Sequence, residues 1–106
     1  MEVLALVGPS GTGKSHRALV VAHDYNVDAI IDDGILIMGT KIIAGKSAKR
    51  EASRIQAVRR AIFSDKIHQD EVKKAITDYN IQSLLIIGTS ERMANKIADA
   101  IGVAPI

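Results

Sequence analysis

No cysteine occurs in the chain. Disulfides and thiolate metal sites are therefore excluded, and the sequence suits a reducing compartment. Tryptophan is missing as well, and aromatic residues make up only 3% of the sequence. The core must then be built from Ile, Leu, Val and Ala. Stacking of single-stranded bases on aromatic side chains lacks its platform. No apolar run approaches the roughly 18–20 residues that cross a bilayer. Residue 2 is a glutamate, and no basic segment precedes the first apolar run, so no secretory signal is expected. A cytoplasmic protein without membrane contact is the default expectation.

What is present fits one domain: 106 residues, 47% apolar and 25% charged. That is enough apolar material for a core, and too balanced for a disordered chain. The net charge of +2 is too small to argue for nucleic acid by itself. It is unevenly spread, because residues 41–60 carry Lys41, Lys46, Lys49, Arg50, Arg54, Arg59 and Arg60 against Glu51 alone.

Residues 3–7 (VLALV) form a continuous apolar run stopped by Gly8, which predicts a strand buried on both faces of a parallel sheet. A helical pattern follows from Lys14 to about Asp24, with Ala18, Leu19, Val21 and Ala22 on its apolar side. Residues 28–32 (DAIID) read as a second strand, followed by a turn at Asp33-Gly34. Residues 35–38 and 41–44 flank Gly39-Thr40 as a hairpin, since glycine permits the positive φ of a tight turn. Residues 47–63 space Ala48, Ala52, Ile55, Val58 and Ile62 three and four apart, which predicts one amphipathic helix with a basic outer face. Ser64 or Asp65 caps a further helix carrying Val72, Ile76 and Tyr79. Residues 84–87 (LLII) are a third buried strand, stopped by Gly88. Thr89 or Ser90 then caps a last helix with Met93, Ile97 and Ile101 inward and Gly102 as its stop. The order β-α-β-(β-β)-α-α-β-α predicts an α/β three-layer sandwich with a mostly parallel sheet. The sheet is small, and Ala104-Pro105-Ile106 stands where another strand is expected. That leaves two expectations: a longer domain of which residues 1–106 are the N-terminal part, or a compact variant whose edge is covered by a second copy in a homodimer.

The segment GPSGTGKS at residues 8–15 matches G-x-x-x-x-G-K-[ST] in full. Its glycines let successive N–H groups point at an anion, and the helix opening near Lys14 adds its positive end. Lys14 places an ammonium against the β- and γ-phosphates, and Ser15 offers a hydroxyl to Mg²⁺. The predicted nucleotide site is Gly8, Pro9, Ser10, Gly11, Thr12, Gly13, Lys14, Ser15 and His16. Gly45-Lys46-Ser47 looks like a second copy, but the upstream Gly39 is one residue too far away. A loop entering a basic helix explains it better.

Asp32 and Asp33 end an apolar strand, where a carboxylate beside a phosphate loop holds Mg²⁺ directly or through water. Two adjacent carboxylates suggest divided labour, one for the metal and one to orient or deprotonate a nucleophile. Asp33-Gly34 is also a plausible plain turn. Spacing does not assign the roles, because neighbours on a strand point to opposite faces. Asp32 with Ser15 is taken for the metal, and Lys14 with Asp33 for catalysis. The basic residues of 46–60 are solvated surface, or supply a γ-phosphate finger, or bind nucleic acid or an acidic protein. Gly88-Thr89-Ser90 either senses the γ-phosphate or simply caps a helix. His16, His23 and His68 show no ligand-like grouping.

With residues 8–15 followed by AIIDD, the chain is identified as a member of the P-loop NTPases by resemblance over its first third. The segments ALVGPSGTGKSHRA, IIDDGILI, AGKSAKRE, AVRRAIF and LLIIGTS more narrowly resemble an uncharacterised family of bacterial P-loop ATP-binding proteins. That resemblance runs through nearly the whole chain. It implies ATP binding at residues 8–15 and no established reaction, and it implies a chain that continues past Ile106. A weaker similarity, to HPr kinase/phosphorylase, covers Ser10 to Ser15 and the paired Asp32 and Asp33, and stops after Gly34. It implies one aspartate acting as base or acid on a protein serine. The functional expectation is an ATP-binding protein, for ATP or another nucleoside triphosphate with Mg²⁺, acting as an ATPase or phosphotransferase. The alternatives are a non-catalytic nucleotide-dependent switch and a nucleic-acid-associated ATPase.

Overall fold

The structure, a computed structural model, describes residues 1–9 and 13–106. The predicted loop residues Ser10, Gly11 and Thr12 lie outside the described residues. Five strands form one sheet: β1 (Glu2–Val7), β2 (Ala29–Asp32), β3 (Ile35–Met38), β4 (Lys41–Gly45) and β5 (Ser83–Gly88). Among the described residues four helices accompany them: α1 (Lys14–Asp24), α2 (Arg54–Ala61), α3 (Lys66–Asp78) and α4 (Glu91–Ala100). A short 3₁₀ turn spans Ala48–Arg50.

The strand order is β1-β5-β2-β3-β4. β5 lies between β1 and β2 and runs parallel to both, whereas β2–β3 and β3–β4 are antiparallel. The sheet is therefore mixed, which corrects the expectation of a mostly parallel one. The cause is local. Asp33 (φ 55) and Gly34 (φ 92) both occupy the positive-φ region, as a two-residue hairpin turn of type I′ requires. Asp32 pairs with Ile35 across that turn, so β3 folds straight back on β2. A second correction concerns β1. It borders β5 alone, and Ala5 and Val7 are exposed, so it is an edge strand rather than one buried on both faces. The strand that meets the predicted pattern is β5, buried at all six positions.

Helices cover both faces of the sheet. Ala18 of α1 packs on one side with Ile30, Leu85 and Ile87. Val72, Ala75 and Ile76 of α3 and Ala94, Ile97 and Ala98 of α4 pack on the other, with Val3, Ile31, Leu84 and Ile86. β1 thus leads into a helix on one face, and its parallel neighbour β5 into a helix on the opposite face. A crevice opens at the C-terminal ends of such a strand pair, which is where open α/β sheets hold ligands.

The single helix expected over residues 47–63 is not formed. Ser47 caps the 3₁₀ turn by accepting from the Lys49 N–H at 3.2 Å. Ser53 caps α2 by accepting from the Gln56 N–H at 3.1 Å. Ile55 and Val58, expected inward, are 74% and 55% exposed. The buried aromatic is Phe63, held at φ 60 just past α2. Its ring stacks on His68 with centroids 4.2 Å apart. Tyr79, just past α3, is exposed as well. The other boundaries follow their signals: Asp65 caps α3, Ser90 caps α4, and Gly102 ends α4 at φ 74.

Candidate functional site

A cavity of about 290 Å³ opens between the start of α1 and the ends of β2 and β5. Gly13, Lys14 and Ser15 line it from the start of α1, and Asp32 and Asp33 from the end of β2. Ile87, Gly88, Thr89 and Met93 line it from β5 and α4, and Lys49 from the 3₁₀ turn. Five sequence-predicted residues therefore meet at one place. Gly8 and Pro9 act behind it. Their carbonyl oxygens accept from the Lys14 ammonium at 2.7 Å each, and the Gly8 N–H donates to the Gly88 carbonyl at 3.2 Å. His16 is exposed on α1 and does not line the cavity.

α1 begins at Gly13, whose φ of 75 only glycine adopts without strain. Among the described residues no side chain caps the first N–H groups of this helix, which start at the mouth of the cavity. From the first turn of α1, the Ser15 hydroxyl donates to Asp32 Oδ2 at 2.9 Å. This contact spans 17 residues and joins helix to strand. It gathers a hydroxyl and a carboxylate, both hard oxygen donors. Among the described residues no group of three or more His, Asp and Glu gathers. A metal at Ser15 and Asp32 must then take its remaining ligands from water and substrate, as Mg²⁺ ordinarily does.

Asp33 serves both as turn and as cavity wall. Its carbonyl accepts from the Ala48 N–H at 2.8 Å, fixing the 3₁₀ turn against the β2–β3 turn. Burial raises the pKa of its carboxyl above the ordinary value; the Asp32 charge adds to this, and Lys49 partly opposes it. A carboxylate made more basic in this way is a better proton acceptor.

Behind the turn lies His68, fully buried on α3. Its Nε2 is 2.7 Å from the Gly34 carbonyl oxygen and 3.3 Å from the Lys46 backbone nitrogen. One ring nitrogen cannot donate and accept at once. The shorter contact assigns the proton to Nε2, donating to Gly34, while the Lys46 N–H donates to the same carbonyl at 3.1 Å. Nδ1 is then a bare lone pair without a partner among the described residues. Burial lowers the His68 pKa below 6.5; the Gly34 contact raises it, Arg60 lowers it, and Glu71 and Asp65 raise it. The unfolded chain takes up this proton as pH falls through about 6.5, whereas the folded chain resists until a lower pH. Stability conferred by neutral His68 is therefore complete above that value and is lost as pH falls toward the folded pKa. Urea unfolding at pH 7.5 and pH 5.5 is expected to show a lower midpoint at the acid end. His68→Gln, which retains a donor at the position of Nε2, is expected to flatten this difference. An equal slope in the variant would assign the effect to other groups.

The basic stretch divides. Arg60 is tied down, its Nε donating to Glu51 Oε1 at 2.8 Å and its Nη1 lying 3.5 Å from Asp65. Arg54 and Arg59 are exposed on α2. Lys49 faces the cavity, and no local signal distinguishes it from its basic neighbours. Of the Gly88-Thr89-Ser90 segment, Ser90 is the cap, accepting from the Met93 N–H at 3.1 Å, and Thr89 lines the cavity. Ile87 and Met93 were read only as core residues. Gly45-Lys46-Ser47 ends β4 and enters the 3₁₀ turn, so it is a connection and not a second phosphate loop. Comparison of the chain with protein-family models, with curated proteins and with solved structures gave no significant match.

Proposed function

We propose that the chain binds a nucleoside triphosphate, ATP with Mg²⁺, at the cavity between α1 and the ends of β2 and β5, and that it hydrolyses or transfers the terminal phosphate. On this reading the fold is a small P-loop NTPase-like sandwich. The observation that carries the reading is the Ser15–Asp32 contact at 2.9 Å. It joins the last residue of the full phosphate-loop pattern to the carboxylate at the end of β2, with β5 between β2 and β1. The start of α1 at its N-cap Gly13 adds a positive helix end at the same place.

Mg²⁺ supplies charge neutralisation and orientation of the phosphate oxygens, and Ser15 and Asp32 hold it. Lys14 exchanges the Gly8 and Pro9 carbonyls for the β- and γ-phosphates. Asp33 accepts the proton of the attacking water or hydroxyl. The cavity sits at the lower end of the roughly 300–1,000 Å³ of small-molecule pockets, so it suits a phosphate chain, with the base outside it. A switch without turnover is the second reading. The observation favouring it is that the 3₁₀ turn, which contributes Lys49, lines the cavity and would respond to an occupied site.

Magnesium titration at fixed ATP tests the metal assignment. Ser15→Ala and Asp32→Asn are each expected to raise the Mg²⁺ requirement about tenfold or more, since metal-site ligands and their supports carry effects of roughly 10–100-fold. Metal-free nucleotide binding should change little in either variant. An unchanged Mg²⁺ requirement in both would remove the metal from this pair.

A further inference from the structure

The geometry points to Lys49 as a second phosphate-binding cation, one that engages the terminal phosphate from the 3₁₀ turn rather than from α1 and makes the site prefer a triphosphate over a diphosphate. This inference rests on the nucleotide-binding reading above and adds to it the residue that distinguishes the two nucleotides.

Three observations carry it. The first is placement. Lys49 lines the same cavity as Lys14, Ser15, Asp32 and Asp33, but comes from the 3₁₀ turn rather than from α1. The second is anchorage. The turn bearing Lys49 is held by the Ala48 N–H donating to the Asp33 carbonyl at 2.8 Å, and Ala48 itself is buried. The Lys49 N–H donates to Ser47 Oγ at 3.2 Å. The backbone at Lys49 is thus fixed to the turn that presents Asp33, while the side chain stays exposed and free to reach. The third is charge. Among the described residues no carboxylate lies within 4.0 Å of the Lys49 ammonium, whereas Arg60, Lys66 and Lys74 each have an acidic partner.

The charges of the lining accommodate such a cation. Asp32 and Asp33 place two negative charges on the wall, and Lys14 alone leaves the lining net negative. Lys49 brings it to neutrality before any metal enters. Lys14 is held at the loop by the Gly8 and Pro9 carbonyls, near the start of α1. Lys49 stands on the turn joined to Asp33, and on the proposed reading the terminal phosphate comes to that side. A diphosphate lacks the group that reaches it.

The test is binding of Mg²⁺ complexes of ADP and of a non-hydrolysable ATP analogue to the intact protein. Wild type, Lys49→Gln and Lys49→Arg are compared. Lys49→Gln is expected to weaken the triphosphate analogue about 10–100-fold, the usual loss for a charge-assisted contact. ADP affinity should stay within about threefold, and Lys49→Arg should recover most of the triphosphate preference. Equal losses for both nucleotides, or none for either, would overturn the role of Lys49 and leave nucleotide binding standing. Equal wild-type affinity for the two nucleotides would overturn it as well. A wild-type protein that binds neither would overturn both the inference and the reading beneath it.

Discussion

Gly45→Ala is expected to cost about 4 kcal/mol or more, a large part of the roughly 5–15 kcal/mol that stabilises a domain. Gly45 pairs with Ile35 at the end of β4 and sits at φ 95. A Cβ there would run into the Gly34 carbonyl oxygen, with the Ile35 Cα 2.9 Å away. The carbonyl cannot rotate aside, because it accepts both the His68 Nε2–H and the Lys46 N–H. Gly39 supplies the internal control. It lies in the same hairpin at φ 62, but an added Cβ would meet nothing within 4 Å. Gly39→Ala should therefore cost only the backbone penalty, about 1 kcal/mol. Urea unfolding of the two variants separates clash from strain. Stabilities within 1 kcal/mol of each other would show that the Gly34–Gly45 approach relaxes easily, and would weaken the case that this region rigidly supports Asp33.

Asp33→Asn is expected to reduce phosphate release at least about 100-fold, the scale of a positioned general base, while nucleotide affinity stays within about threefold. Asparagine is the informative replacement because it tolerates the positive φ of Asp33 nearly as well as aspartate. The turn survives and only the proton-accepting charge is lost. The same substitution should raise stability slightly in the absence of nucleotide. The folded pKa of Asp33 lies above 3.8, so its stability contribution is favourable below that value and is lost as pH rises through the folded pKa. At neutral pH the ionised group therefore carries a cost that asparagine removes. Wild type and variant should converge in stability toward pH 3.8 and separate above it, which thermal unfolding across that range checks. Reduced turnover together with collapsed stability would instead assign Asp33 a structural role alone.

The parts of this molecule legible in the sequence are those governed by neighbours along the chain. The turn at Asp33-Gly34 and the hairpin at Gly39-Thr40 were legible because positive φ is a local demand, although the sequence did not say that the first would fold β3 back on β2. Asp65, Ser90 and Gly102 marked helix ends for the same reason. The convergence of Lys14, Ser15, Asp32 and Asp33 was legible because one pattern and one strand end carry it. Strand order was not, because an apolar run such as VLALV does not say whether it has one neighbour or two. Residues 47–63 misled through periodicity. Ile55 and Val58 keep helical spacing yet face solvent, while Glu51 leaves the helix to pair with Arg60. His68 had a signal that could have found it: it stands four residues before Val72 on the buried face of α3. Lys49 had none, since its partners in the cavity come from residues as distant as Thr89 and Met93.

Calorimetric titration of ATP, with and without Mg²⁺, into wild type and Lys14→Ala tests the central claim most directly. The account predicts Mg²⁺-dependent, saturable binding by wild type, weakened at least about 100-fold in Lys14→Ala through loss of charge-assisted phosphate contacts. Binding of equal strength in the two proteins, or no binding by wild type, would contradict it.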